Sequence, residues 1–195
     1  MNKITGILLA GGQSSRMGRE KGEILLGSQK LYTYPLRVLE SLCDEILIST
    51  CKPWSLPEEH SMVCDEIKEI GPIGGIYTCL KRSSNEINII LSYDLALVNP
   101  DLFEEMLKYI SRYDLVVPAM KNGHPEPLCG IYKKGNADTI QKMISDKIFG
   151  VHHLFPRLHT FVFRVNESMP FYHPNIFLNI NSEEDLLHLP GDFGK

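Results

Sequence analysis

The chain has 195 residues, 43% hydrophobic and 23% charged, which fits one globular domain with a sizeable core and excludes a disordered or fibrous protein. A formal charge of -4 argues against a broad basic surface for nucleic acid. No apolar run approaches the ~20 residues of a membrane span.

The apolar run Ile4 to Ala10 starts at once and ends in glycines with charges behind them, so it reads as a buried first strand and not as a signal peptide. A glycine-rich loop follows. Leu31, Tyr34, Val38, Leu39 and Leu42 then recur at helical spacing, and Pro35, tolerated only in a first turn, sets the helix start near Thr33. Glu45 to Thr50 reads as a second strand, and Lys52 to Met62 as an exposed loop. Ile73, Ile76, Tyr77 and Leu80 mark a helix entered through Gly71-Pro72. Ile87 to Leu91 is a third strand. Asn99-Pro100 supplies a cap and an N1 proline for a helix carrying Phe103, Met106, Leu107 and Ile110 on one face.

Leu115 to Pro118 and Leu128 to Tyr132 read as strands flanking an exposed loop at Lys121 to Pro127. A helix over Asn136 to Ile144, a strand over Thr160 to Val165 and a capping box at Ser182-Glu183-Glu184-Asp185 complete the series. Strands alternating with helices predict one α/β domain over 1–195, with a mainly parallel sheet covered on both faces. The five cysteines, 43, 51, 64, 79 and 129, contain no Cys-x-x-Cys pair. They read as scattered small apolar side chains in a reducing cytoplasm, with neither a zinc site nor a disulfide framework. The adjacent His152 and His153 are expected to point in different directions and to bind no metal.

Ligands of such a sheet gather beyond the carboxyl ends of its strands. The first of these ends carries Gly11-Gly12-Gln13-Ser14-Ser15-Arg16-Met17-Gly18-Arg19-Glu20-Lys21. Its glycines let backbone N–H groups approach an anion, and Arg16 and Lys21 add fixed positive charge. Gly18 is followed by Arg19-Glu20, so the loop is not a Walker A motif, and the glycine spacing is not that of a dinucleotide fingerprint. Phosphate binding is the reading of this loop; the alternative is a tight turn with solvated charges.

The segment Leu9-Ala10-Gly11-Gly12 through Lys21 resembles the signature of the molybdenum cofactor guanylyltransferases, within the nucleotidyltransferases of Rossmann-like fold. Three later blocks are similar to the same family in the same order. They are Gly71-Pro72-Ile73-Gly74-Gly75-Ile76, Glu126-Pro127-Leu128-Cys129-Gly130-Ile131-Tyr132, and Asn179-Ile180-Asn181-Ser182-Glu183-Glu184-Asp185-Leu186. The resemblance implies a Rossmann-like three-layer α/β sandwich of the nucleotidyltransferase type. It also implies transfer of GMP from GTP to the terminal phosphate of molybdopterin, with release of pyrophosphate. Mg²⁺ is the implied cofactor, with molybdoenzymes or cofactor chaperones as protein partners. The double glycine, where pyrimidine-using relatives carry Leu-Ala-Ala-Gly, points to guanine.

Residue by residue, the resemblance places Leu9 and Ala10 under the base and Gly11 and Gly12 against the nucleotide. It puts Arg16 and Lys21 on the phosphates and Asp65 in nucleotide binding. Asp94 holds Mg²⁺, as suits a carboxylate at a strand's end and a hard cation with few protein ligands. Gly75, Asn179 and Asn181 fall to substrate binding, although the two asparagines serve equally as caps of a last helix. The attacking group is a phosphate monoester, already ionised at neutral pH with a second pKa near ~6, so no catalytic histidine is required.

Three positions depart from the family pattern. Asp94-Leu95-Ala96 stands for Asp-Met-Pro, Glu20-Lys21 for Asp-Lys, and Cys51 or its neighbours for an asparagine associated with guanine binding. Two alternatives share these residues: another phosphate acceptor, such as a sugar phosphate or cobinamide phosphate, or a catalytically silent nucleotide-binding module.

Overall fold

A computed structural model of the chain describes residues 3–11, 25–51, 59–121, 123–181 and 185. The whole loop from Gly12 to Lys21, Arg16 included, lies outside those residues, as does the expected capping box apart from Asp185.

The strands are β1 (Ile4–Leu9), β2 (Leu25–Leu26), β3 (Gln29–Lys30), β4 (Glu45–Ser49), β5 (Ser61–Val63), β6 (Ile87–Ser92), β7 (Leu115–Met120), β8 (Cys129–Lys133) and β9 (Thr160–Val165). The helices are α1 (Thr33–Leu42), α2 (Pro72–Arg82), α3 (Pro100–Leu107) and α4 (Asn136–Ser145), with a 3-10 helix over Val151–Arg157. Proline sets three of these boundaries. Pro35 sits in the first turn of α1, and Pro72 and Pro100 open α2 and α3, where a missing N–H costs nothing. Asn99 Oδ1 accepts the Asp101 N–H at 2.7 Å and caps α3. Gly71, at φ 76°, takes the left-handed turn into α2.

Seven strands form the main sheet in the order β5-β4-β1-β6-β8-β7-β9, while β2 and β3 make a separate hairpin. All main-sheet neighbours pair in parallel except β8, which runs antiparallel to both β6 and β7. Successive side chains of a strand leave opposite faces. Leu8, Ile48, Ile89 and Leu91 therefore pack with Leu36 and Leu39 of α1 and Phe103 and Met106 of α3. Ile7, Leu9, Leu47 and Ile90 pack on the other face with Ile73, Ile76 and Leu80 of α2 and Ile140 and Met143 of α4. The result is the expected three-layer sandwich, with two apolar cores separated by one sheet.

The amino end of the sheet is closed by a polar cluster. Thr5 Oγ1 donates to Glu45 at 2.6 Å, Ser83 Oγ donates to Thr5 at 2.9 Å, and Ser84 Oγ donates to Glu45 at 2.9 Å. Buried Thr5 and Ser83 are thereby satisfied, and the open functional end is left at the carboxyl termini of the parallel strands.

Four expectations are corrected. Cys51 and Cys64 form a disulfide, so the cysteines are not all isolated thiols; Cys43, Cys79 and Cys129 are free. Parallel pairing of β4 with β5 puts the residues just beyond the two strand ends side by side, a proximity that Cys spacing alone cannot reveal. Ser61 and Met62, read as loop, belong to β5, a short edge strand recruited by pairing with β4. Ile110 lies in the turn after α3, not within it. Finally, the exposed His152 and His153 rings approach to 4.1 Å between centroids, because the 3-10 turn brings these neighbours together.

Candidate functional site

Five chain segments converge at the carboxyl rim. β1 ends in Leu9 and Ala10, both buried, followed by exposed Gly11. The Ala10 N–H donates to the Ser49 carbonyl at 3.0 Å, and the Tyr93 N–H donates to the Leu9 carbonyl at 3.1 Å. These bonds lock the exits of β1, β4 and β6 to one another. Among the described residues, a Cβ at Gly11 would meet nothing closer than the Ser49 carbonyl at 3.5 Å, an ordinary contact. Packing against the described residues therefore does not demand glycine at position 11, whereas close approach of a ligand would.

Asp65 follows β5 and turns back over the end of β4, where its Oδ1 accepts the Ser49 hydroxyl at 3.1 Å. Burial raises the Asp65 pKa, and the Ser49 bond opposes that shift. Gly75, in the second turn of α2, lies directly behind this pair. A Cβ there would stand 2.4 Å from Ser49 Oγ and 3.3 Å from Asp65 Oδ1. The glycine thus makes room for the Ser49–Asp65 contact, a packing role beside the substrate-binding role expected from the sequence. The Cys51–Cys64 bridge ties the same two strand exits together, one residue before Asp65.

Across β1, Asp94 sits in the turn after β6, and its carbonyl accepts the Ile180 N–H at 3.0 Å. That bond draws Asn179 and Asn181, distant in sequence, to the side of Asp94. Asn181 donates its N–H to Asp185 Oδ2 at 2.8 Å and its amide to the Asn179 carbonyl at 3.3 Å. The segment therefore has a structural role of its own while its exposed Asn179 faces outward.

Glu126 is an addition that residue-by-residue reading had passed over. It lies in the turn before β8, and its Oε1 accepts the Leu128 N–H at 3.2 Å. Burial raises its pKa, the Leu128 bond lowers it, and the negative charge of Asp94 raises it again. The carboxylate at the exit of β6 and the one at the entry of antiparallel β8 therefore feel each other. Hard oxygen donors in mutual repulsion form a set that a divalent cation satisfies. The sequence signal was an acid immediately before Pro127-Leu128, inside a block already noted for its resemblance.

The rim thus brings together Leu9, Ala10, Gly11, Asp65, Gly75, Asp94, Asn179 and Asn181. Gly12, Arg16 and Lys21 lie outside the described residues.

Comparison with known proteins identifies the chain's relatives. The model of the MobA-like NTP transferase domain matches residues 6–160. A probable molybdenum cofactor guanylyltransferase of Flavobacterium johnsoniae is 31% identical over 95% of this chain and 96% of its own length. One from Thermococcus sibiricus is also 31% identical, over 96% and 98%. The crystal structure of molybdopterin-guanine dinucleotide biosynthesis protein A from Archaeoglobus fulgidus superposes with a TM-score of 0.79 at 25% identity, covering 94% of this chain and 95% of that one. On a family match spanning most of its length and relatives above 30% identity, the chain belongs to the MobA-like NTP transferase family.

Proposed function

We infer that this protein is a molybdenum cofactor guanylyltransferase, which transfers GMP from GTP to the terminal phosphate of molybdopterin and releases pyrophosphate. The observation that carries the reading is the position of Asp94. It stands at the end of β6, beside the exit of β1 that opens the glycine-rich loop and bonded to the Asn179–Asn181 segment. One residue therefore sits between the two sides on which donor and acceptor would lie.

The nucleotide occupies the β1-β4-β5 side. The base lies near Leu9 and Ala10, Gly11 and Gly12 offer close backbone approach, and Asp65, held by Ser49, contacts the nucleotide. Arg16 and Lys21 neutralise the triphosphate and hold its α-phosphorus toward the acceptor. An oxygen of the acceptor phosphate attacks that phosphorus. The new P–O bond forms as the bond to the β-phosphate bridging oxygen breaks, and the electron pair leaves on pyrophosphate. The nucleophile is already ionised, so the chain contributes positioning and charge stabilisation instead of a strong general base.

Nucleotidyl transfer in this family is a divalent-metal reaction, and Mg²⁺ is the ion we assign here. Asp94 and Glu126 are the carboxylates that fit it, and when bound it would offset charge gathering on the phosphates. Asn179 positions the acceptor. The enzyme works in the cytoplasm, and its product passes to molybdoenzymes or cofactor chaperones.

Incubation with labelled GTP, Mg²⁺ and molybdopterin should release pyrophosphate, with much less from CTP or ATP. Absence of release with molybdopterin, but release with a sugar phosphate or cobinamide phosphate, would move the protein to another acceptor.

A further inference from the structure

The exits of β4 and β5 are tied together in succession by a backbone bond, a covalent bridge and a side-chain bond. The Thr50 N–H donates to the Val63 carbonyl at 2.9 Å, Cys51 is bonded to Cys64, and the Ser49 hydroxyl donates to Asp65 Oδ1 at 3.1 Å. β5 depends on these ties, because it is an edge strand of three residues paired with β4 alone. On its other side, Asp65 is followed by Glu66, whose N–H donates to Thr78 Oγ1 of α2 at 3.0 Å. Of these ties, the bridge alone is covalent.

The bridge is also open to solution. Cys51 and Cys64 are both exposed, whereas Cys79 and Cys129 are fully buried and Cys43 is half-buried. Burial pushes the Cys43 and Cys79 thiols up to about 12, so both stay protonated at neutral pH. Accessible thiol chemistry is thereby concentrated in one pair, on the strand exits that carry Ser49 and Asp65. An exposed bridge exchanges with thiols in solution as one sealed in a core does not. While closed, it restrains a loop spanning 13 residues, and a partner that is ordered beforehand loses less affinity to ordering on binding.

We propose that Cys51 and Cys64 form a redox switch on the nucleotide side of the site: the closed bridge fixes Asp65 for binding, and the open pair releases it. The switch presupposes the nucleotide on the β1-β4-β5 side, as inferred above. Opening takes two molecules of a low-molecular-weight thiol. The thiolate of the first attacks one sulfur and forms a mixed disulfide, as the Cys51–Cys64 bond breaks and the other cysteine leaves as thiolate. The second attacks the mixed disulfide, frees the remaining cysteine and departs joined to the first as a small disulfide. Two electrons thereby pass to the protein pair, and the two thiol protons end on Cys51 and Cys64. Closure runs the same steps backwards, with the small disulfide as oxidant.

The test uses the full chain equilibrated with reduced or with oxidised glutathione. Alkylation followed by mass spectrometry should find Cys51 and Cys64 labelled in the reduced sample and protected in the oxidised one. Titration with GTP and Mg²⁺ should give a Kd at least tenfold lower for the oxidised protein. Cys51→Ser/Cys64→Ser should bind GTP as the reduced wild type does and ignore glutathione. Asp65→Asn should bind weakly in both states, with the two Kd values alike. A pair that reduced glutathione leaves closed, or wild-type Kd values within twofold of each other, would overturn the switch; release of pyrophosphate from GTP and molybdopterin by that protein would leave the proposed function standing. A tenfold redox difference that survives in Asp65→Asn would overturn the route through Asp65. A protein that binds GTP in neither state loses both switch and function. One whose GTP affinity follows its redox state but which releases no pyrophosphate with molybdopterin keeps the switch and loses the function.

Discussion

Replacement of Gly75 by alanine sets two effects of opposite sign against each other. In the interior of a helix, Gly→Ala gains about 1 kcal/mol of intrinsic propensity. Against that, the new Cβ would lie 2.4 Å from Ser49 Oγ, a separation that non-bonded atoms do not tolerate. Ser49 is 2% exposed, so relief requires its hydroxyl to rotate away from Asp65 or α2 to shift. Giving up a hydrogen bond to a carboxylate costs about 1.5–3 kcal/mol, and overpacking adds about 1–3 kcal/mol. The clash wins, with a net loss of about 2 kcal/mol and a melting temperature lower by roughly 4–8 °C. Ser49→Ala combined with Gly75→Ala tests the mechanism, because it removes the 2.4 Å contact and leaves Asp65 Oδ1 at 3.3 Å and the Cβ of residue 49 at 3.4 Å as the nearest described atoms. The double variant should lose less stability than the sum of the two singles. GTP affinity should fall in Gly75→Ala as Asp65 loses its brace. Thermal melts and denaturant titrations measure the first effect, and nucleotide titration the second. A Gly75→Ala protein as stable as wild type would refute the packing argument, and additive singles would refute its mechanism.

Other outcomes follow from the same geometry. Reduction of the Cys51–Cys64 bridge, which closes a separation of 13 residues, should cost about 3 kcal/mol; melts with and without dithiothreitol check this, and Cys51→Ser/Cys64→Ser should be insensitive to reductant. Gly11→Ala should leave stability within about 0.5 kcal/mol, since its Cβ meets only an ordinary contact, yet weaken GTP binding; a large loss of stability with intact binding would reverse the reading. Asp94→Ala should abolish both metal-dependent GTP binding and turnover, and retention of both would sink the site. The Glu126 carboxyl is raised above 4.5 by burial, with Asp94 adding to the rise, so its stabilising contribution is complete below that value and is lost as pH climbs through the folded pKa. Glu126→Gln should accordingly gain on wild type in melting temperature as pH rises from 4 to 7, and lose affinity for Mg²⁺. A constant difference between the two proteins across that range would contradict the coupling.

The fold was legible because its signals are local. Pro35, Pro72, Asn99 and Pro100 mark helix starts through backbone chemistry that tertiary context rarely overrides, and the continuous apolar runs of β1 and β6 could only be buried on both faces. What escaped depended on pairing across the chain. β5 has three residues, too few to show a period, and becomes a strand only because β4 offers it an edge. The Cys51–Cys64 contact follows from that pairing, so it was invisible for the same reason. In the site, Asp94 was located by its place after a strand and Asp65 by the resemblance, but the partners that tune them were not. Ser49 is an unremarkable serine until β5 brings Asp65 over it, and Glu126 acquires meaning only when an antiparallel β8 delivers its leading turn beside Asp94.

The direction of β8 also divides the domain's genetic layout. Residues up to Ser92 build the arm β5-β4-β1-β6 continuously, and residues from Leu115 build β7, β8 and β9. The arms meet along a single ladder, β6 against β8. A crossover between codons 95 and 114 would therefore exchange the half built of β7, β8 and β9 without cutting a strand. With the nucleotide and the acceptor on the sides assigned under the proposed function, chimaeras joined at that seam should inherit the nucleotide of one parent and the acceptor of the other.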